Sequence, residues 1–367
     1  MFAALNNQAA LNGICPYFTM FPLDFPLGIL RSRARRSDWV LDPFCGRGTT
    51  NFAARLLGLR SLGVDSNPVA TAITASKLVD TTVADIMTEA RRILSGSAAE
   101  NIPEGEFWAW AYHRATLEGI CRLREAFLLN CRSPAALALR GIVLGALHGP
   151  LQMTSAGYFS NQSPRTYAPK PAYAIRFWKD RGLRPPSIDV AAAIERRASR
   201  FYGGLPAALG QWRLADSRRP KSVQPLKPSL RFRWLITSPP YYGMRTYRPD
   251  QWLRNWFLGG SEKVDYTNQD QVVHSSPEEF AVDLSAVWRN TAKVCSPDAR
   301  MVVRFGGITD RRAKPLEIIK SSLVDTGWRI KTIIPAGTAS EGRRQADAFL
   351  RKRSKAMIEY DVWAVRH

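Results

Sequence analysis

Two short stretches bring together residue types that could do chemistry. The first is "LDPFCGRGTT", Leu41 to Thr50, where an acid, a proline and an aromatic ring precede two closely spaced glycines. Gly46 and Gly48 permit a tight turn and a close approach of backbone to a ligand. The second is "TSPPYY", Thr237 to Tyr242. Pro239 and Pro240 fix φ and remove two amide donors, so the carbonyls of that turn stay free as acceptors. Ser238 adds an oxygen, and Tyr241 adds a flat face on which a planar ring can stack. Rigid acceptors for an –NH2 group beside an aromatic face fit a nucleobase lifted out of its helix stack. A plain Pro-Pro turn with core tyrosines is the alternative.

The surrounding elements place both stretches at strand ends. "DWVLD" reads as a strand ending at Asp42, "TTNFAARLLG" as a helix stopped at Gly58, and "RSLGVD" as a second strand ending at Asp65. Strand, glycine turn, helix and a strand closing on an acid make a βαβ unit, which binds ligands at the carboxyl ends of its strands. An acid at Asp65 can accept both hydroxyls of a ribose, which points to a nucleoside-containing cofactor. A dinucleotide fits less well. The third glycine of GxGxxG is missing, and Asp42 would repel a pyrophosphate. An acid there suits a cationic ligand, one with an amino group or a sulfonium.

From Thr81 to Gly204 the pattern turns helical. "EFWAWAYHRATLEGICRLREAFLL" and "PAALALRGIVLGALHGPLQM" have helical period and length, and "VAAAIERRASRFYG" follows a loop rich in Pro and Tyr. Strands return with "FRWLIT" and "ARMVVRF", and after them come "WRIKTIIPA" and "EYDVWAVR". In "SSPEEFAVDLSAVWRNTAKVC" Ser276 is the expected N-cap, with Pro277 at the first helical position and Glu279 three residues past the cap. Phe280, Leu284, Val287 and Trp288 share one face of that helix. Strands alternating with helices argue for an α/β fold with a mostly parallel sheet, helices on both faces and a largely helical insertion after the second strand.

The chain has 367 residues, 45% of them hydrophobic, and a formal net charge of +21. That composition is globular, and the field favours polyanions, nucleic acid ahead of a membrane surface. Neither a membrane-spanning run nor a secretory signal pattern is visible. Each basic cluster taken singly, such as "RSRARR" at 31–36, reads as solvated surface. In the loop "YFSNQSPRTYAPKPAY" (158–173), Arg165 and Lys170 either belong to a rigid connector or meet phosphates and unstacked bases. In "EGRRQADAF" (341–349), Arg343 and Arg344 either face solvent or reach nucleic acid. The five cysteines form no CxxC pair and the four histidines are scattered, so no metal site is expected. Such cysteines suit a reducing cytoplasm.

The pair "DPFCGRGTT" and "TSPPY" resembles the amino-group DNA methyltransferases that use S-adenosylmethionine. SPPY is most similar to their N4-cytosine branch; the adenine enzymes more often carry Asp or Asn in the first place. "CPYFTMFPLDFP" (15–26) resembles the segment covering the cofactor's methionine end, and "LADSR" (214–218) the third-strand motif whose acid contacts the adenine amino group. The resemblance extends over most of the chain. It implies a Rossmann-like S-adenosylmethionine-dependent methyltransferase fold, with a catalytic domain split into 1–80 and 206–367. Residues 81–205 would then be an insertion holding target-recognition elements. Asp42, Phe44, Gly46 and Gly48 would surround the methionine moiety, Asp65 the ribose and Asp216 the adenine. Pro43, Thr49 and Ser66 would complete the cofactor site, with Phe18 and Thr19 flanking it. Ser238, Pro239, Pro240 and Tyr241 would hold the target base.

There are departures from the family pattern. Arg47 stands where a small residue is more usual and is expected to face solvent; the alternative is that it reaches a phosphate. The glycine motif precedes SPPY, whereas many members with SPPY have the opposite order. The function implied is site-specific methylation of cytosine N4 in double-stranded DNA, with the base flipped out. Methylation of adenine N6 is the nearest alternative. RNA methylation and a non-catalytic nucleic-acid-binding protein of the same fold follow. The resemblance further implies work on the nucleoid, in some members alongside a cognate restriction enzyme.

Overall fold

The computed structural model describes residues 8–17, 21–151, 157–160, 170–243, 251–264, 276–307, 314–338 and 358–367. The chain forms two compact units. One comprises Met1–Tyr17, Ala75–Leu205 and Thr246–Thr267, and the other Phe18–Thr74, Pro206–Arg245 and Asn268–His367.

The second unit is built on seven strands. They are β1 (Trp39–Asp42), β2 (Arg60–Asp65), β3 (Gly210–Leu214), β4 (Phe232–Thr237), β5 (Cys295–Phe305), β6 (Trp328–Thr338) and β7 (Ile358–Arg366). Their order is β3-β2-β1-β4-β5-β7-β6. The first five in that order pair parallel, and β7 lies antiparallel between β5 and β6. The α/β, Rossmann-like sheet expected from the sequence is the one observed. The strand order reverses at the β1–β4 pair, where Val40 faces Trp234 and Leu41 faces Leu235. In open sheets a crevice outside the carboxyl ends of the strands forms at that reversal.

Both faces of this sheet are buried, which is why its central strands read as continuous apolar runs. On one face Val40, Trp234 and Ile236 pack with Leu27 and Leu30 of helix α1 (Asp24–Arg33) and Ala53 and Ala54 of helix α2 (Thr49–Leu56). On the other, Leu41, Leu62, Leu235 and Met301 pack with Phe280, Leu284, Val287 and Trp288. Those four lie on the helix Pro277–Val294, as their spacing predicts. Its N-cap is Ser276, whose hydroxyl accepts from the Glu279 amide at 3.1 Å, and Pro277 occupies the first turn.

The first unit is helical. It contains Val83–Leu94, Glu106–Ala111, Arg114–Leu129, Pro134–Ala146, Pro171–Lys179, Val190–Phe201 and Trp252–Phe257. The single helix expected over 106–129 is broken. Tyr112 is extended (φ −136°, ψ 144°), and the His113 ring accepts from the Ala115 amide at 3.3 Å, capping a new helix. The Tyr112 hydroxyl donates to the Leu147 carbonyl at 2.6 Å, a tertiary bond that apolar periodicity does not encode. Helix Pro134–Ala146 is almost wholly buried. At Gly145 a β-carbon would stand 2.0 Å from the Ile14 carbonyl oxygen, so only glycine fits that contact. Among the described residues, no helix is long and apolar enough to cross a membrane.

Replacing Ser276 with alanine should lower unfolding free energy by about 1 kcal/mol through the lost cap. The midpoint of urea unfolding checks it.

Candidate active site

β1 and β4 end side by side, and each feeds one of the two motifs. Asp42 closes β1 and is 1% exposed. Its Oδ1 accepts from the Thr237 hydroxyl at 2.6 Å and from the Phe44 amide at 3.1 Å. Its Oδ2 is buried and has no hydrogen-bond partner. The Thr50 hydroxyl stands nearby but donates to the Ile236 carbonyl at 3.2 Å, so Oδ2 remains an open acceptor. Burial pushes the Asp42 carboxyl up to about 7, against the bonds from Thr237 and Phe44 and the nearby Thr50 hydroxyl dipole, and the Asp65 charge raises it further.

The glycine turn follows directly. Gly46 and Gly48 have φ of 51° and 73°, the left-handed region that side chains avoid. A β-carbon at Gly48 would also stand 2.7 Å from the Thr74 hydroxyl oxygen. That hydroxyl donates to the Gly46 carbonyl at 3.0 Å and pins the turn. Asp65, at the end of β2, accepts from the Gly46 amide at 2.9 Å through Oδ2 and from the Asn67 amide at 2.8 Å through Oδ1. Burial raises its carboxyl as well, and the amides of Asn67, Gly46 and Ser66 oppose that shift. Each oxygen keeps a lone pair for a further donor.

Neighbouring positions gather around this turn. The Pro43 carbonyl accepts from the Ser217 hydroxyl at 2.6 Å, and the Ala215 amide donates to the Asp65 carbonyl at 3.0 Å. These contacts carry Asp216 to the same strand ends. Its oxygens are engaged by the Arg218 guanidinium, at 3.0 Å from Nε and 2.8 Å from Nη2. Burial alone would raise the Asp216 carboxyl, but the Arg218 bonds together hold it below its ordinary range. Phe44 meets Trp288 edge-on at 5.9 Å, Thr49 is buried in the first turn of α2, and Ser66 is exposed.

The second motif leaves β4 immediately after Thr237. Pro239 is buried, while Ser238, Pro240 and Tyr241 are partly exposed. Among the described residues, the Ser238 hydroxyl has no hydrogen-bond partner. The Tyr241 hydroxyl donates to Glu359 Oε1 at 2.6 Å, and its ring meets Phe305 edge-on at 5.6 Å. A β-carbon at Gly306 would approach that ring to 3.3 Å. The ring is therefore clamped from two sides, from the tip by a 2% exposed glutamate on β7.

One expectation is corrected. Arg47 does not face solvent; it is 8% exposed. Standing between two left-handed glycines, it follows the turn, so strand and helix periods did not govern its direction. Phe18, Thr19, Arg165, Arg343 and Arg344 lie outside the described residues. Lys170 belongs to the helical unit, at the N-cap of Pro171–Lys179. Four contributors were not singled out from the sequence: Thr237, Thr74, Arg218 and Glu359. One of the two acids in the apolar run "IEYDVWAV", Glu359 stood out only by its place in that run.

One family model overlaps the glycine turn. Residues 4–76 match the model of the N6/N4 methyltransferase family, described as DNA methylase. The match includes Asp42 to Asp65 and ends before TSPPY. No curated protein matches the chain. Solved structures give loose likenesses of fold. The rRNA methyltransferase aviRa from Streptomyces viridochromogenes is 14% identical, with 96% of this chain and 87% of that one covered and a TM-score of 0.36. Magnesium protoporphyrin IX methyltransferase from Synechocystis, with bound S-adenosylmethionine, is 11% identical over 94% and 78%, at 0.35. An S-adenosylmethionine-dependent methyltransferase from Methanosarcina mazei is 10% identical over 95% and 99%, at 0.34.

The raised Asp42 carboxyl sets a pH dependence of stability. Below pH ~4 the group is protonated in both states. Between about 4 and 7 the native state keeps a proton that the unfolded state has lost, so stability falls as pH rises. Above about 7 the slope vanishes. The loss is on the order of 4 kcal/mol across the window. Urea unfolding of the wild type and Asp42→Asn at both ends of the window should show that the substitution removes this component.

Proposed function

We propose that the chain is an S-adenosylmethionine-dependent methyltransferase acting on an exocyclic amino group in DNA, with N4 of cytosine as the target. One observation carries the reading. The 2.6 Å bond from Thr237 to Asp42 sets the Ser-Pro-Pro-Tyr acceptors directly against an acid-lined glycine turn. The partial match to the DNA methylase family, over the glycine turn, supports the same reading.

The residues present fit the cofactor. Asp42 Oδ2 is a buried acceptor without a donor, suited to a cationic group, and the ionised form of Asp42 is the one a cation favours. The glycine turn gives backbone access with no side chain in the way. Asp65 can accept ribose hydroxyls, and Asp216 can accept the adenine amino group once it shares its oxygens with Arg218. When bound, the cofactor supplies an electrophilic methyl on a sulfonium.

The protein's own part is positioning and electrostatics. The amino nitrogen of cytosine has its lone pair delocalised into the ring. The Ser238 hydroxyl and the Pro239 carbonyl accept its two hydrogens and favour a pyramidal nitrogen whose lone pair points at the methyl. Tyr241, fixed by Glu359 and Phe305, holds the ring in plane by stacking. The nitrogen needs no general base before attack, because its surplus proton leaves after transfer. Ser238, rather than an acid, at the first position of the motif supports cytosine over adenine. The helical unit, with Lys170 on its surface, is the proposed region of target recognition, and double-stranded DNA the proposed partner.

Two measurements test the assignment. Duplex DNA incubated with methyl-labelled cofactor and digested to nucleosides should yield N4-methylcytosine. N6-methyladenine would overturn the base assignment, and absence of product on DNA would overturn the substrate. In single-turnover kinetics, Ser238→Ala should slow the chemical step about 10- to 100-fold with cofactor affinity kept, and Asp65→Ala should do the reverse.

A further inference from the structure

The helical unit carries an exposed run of aromatic and basic side chains that methyl transfer does not use. Between Lys170 and Arg184 stand five cations, Lys170, Arg176, Lys179, Arg181 and Arg184, and one acid, Asp180. Helix Pro171–Lys179 buries Ala174 and Trp178, with Trp178 packed on Phe107 at 5.6 Å. It is thus docked by one face. Tyr173 and Phe177, four residues apart, share another face, and their rings stack at 6.2 Å with 26° between planes. The Arg181 guanidinium covers the Phe177 ring at 4.0 Å and continues the stack. The Arg184 guanidinium lies 3.8 Å over Trp110. Tyr173 is 45% exposed, and Lys170, Arg176, Arg181 and Arg184 are all exposed. Lys179 pairs with Glu106.

An exposed stack of Tyr, Phe and Arg leaves planar apolar area in water, which single scattered surface aromatics do not explain. Its charge complements phosphate, and its flat faces complement bases. A lipid surface would need a longer apolar face than this nine-residue helix has.

We propose that the face formed by Tyr173, Phe177 and Arg181, with Lys170 and Arg176 on the same helix segment, binds a nucleic-acid strand with unstacked bases. A base stacks on Tyr173 and the cations meet phosphates, the combination by which single strands are held without sequence readout. The inference shares with the proposed function only the premise that the partner is nucleic acid; it needs no cofactor.

The test uses the full chain and fluorescence anisotropy. The probes are a labelled oligothymidylate of about 12 nucleotides and a duplex of the same length. Salt runs from about 50 to 200 mM. Cofactor titration by calorimetry runs in parallel. The single strand should bind more tightly than the duplex. Tyr173→Ala should weaken it about tenfold, and Tyr173→Phe should retain it. Arg176→Gln and Arg181→Gln should each flatten the salt slope by roughly 0.7. Cofactor affinity should stay unchanged in all four variants. Equal strand binding by wild type and Tyr173→Ala would overturn the proposal. A wild type that binds cofactor but no strand would overturn it and leave the cofactor site standing. Strand binding that depends on Tyr173, without cofactor binding, would support this face and refute the methyltransferase reading.

Discussion

A buried carboxylate with too few partners organises the sheet unit. Asp42 ends β1 where the strand order reverses, and one of its oxygens is shared between the Thr237 hydroxyl and the Phe44 amide. The other oxygen is buried and unpartnered. Removing a carboxylate from water without compensation is costly, and the protein meets that cost in part by protonation, with the group moved up to about 7. A site that keeps such a group is poised for a cation. The bond to Thr237 also ties the carboxyl ends of two adjacent strands together, so the glycine turn and the proline turn are held side by side.

The backbone around Asp42 is set just as tightly. Two left-handed glycines, the Thr74 hydroxyl and the Asp65 carboxylate hold the turn from three directions. Across the switch point, two prolines stiffen the second motif, and Glu359 with Phe305 fixes its tyrosine. The proposed amino-group methylation would ask little acid–base chemistry of the protein and much positional accuracy. Rigidity on both sides of the switch point is what such a reaction requires.

The parts that could be read from sequence are those carried by local order. Asp42, Gly46, Gly48 and Asp65 lie within one strand-turn-helix-strand run, so strand ends and glycine turns placed them. Ser276 and Pro277 announced a helix start by residue type alone. Thr237 and Asp42 are 195 positions apart, and their contact depends on β1 pairing with β4, a fact of register. Glu359 meets Tyr241 because β7 inserts antiparallel between β5 and β6, which local patterning does not specify. Arg218 takes up Asp216 through a two-residue reach in a turn without a period. The break at Tyr112–His113 likewise came from a tertiary hydroxyl bond and a ring cap inside an apolar pattern that continues through both helices.

The joining of the two motifs through Asp42 is tested most directly by a double-mutant cycle on cofactor affinity. Calorimetric titration of S-adenosylmethionine would compare the wild type with Asp42→Asn, Thr237→Val and the double variant. The account predicts that the wild type binds and that each single change weakens binding. It also predicts that the double variant binds no worse than Asp42→Asn alone, because Thr237 acts through the carboxylate. Losses that simply add, or a wild type that does not bind the cofactor, would contradict it.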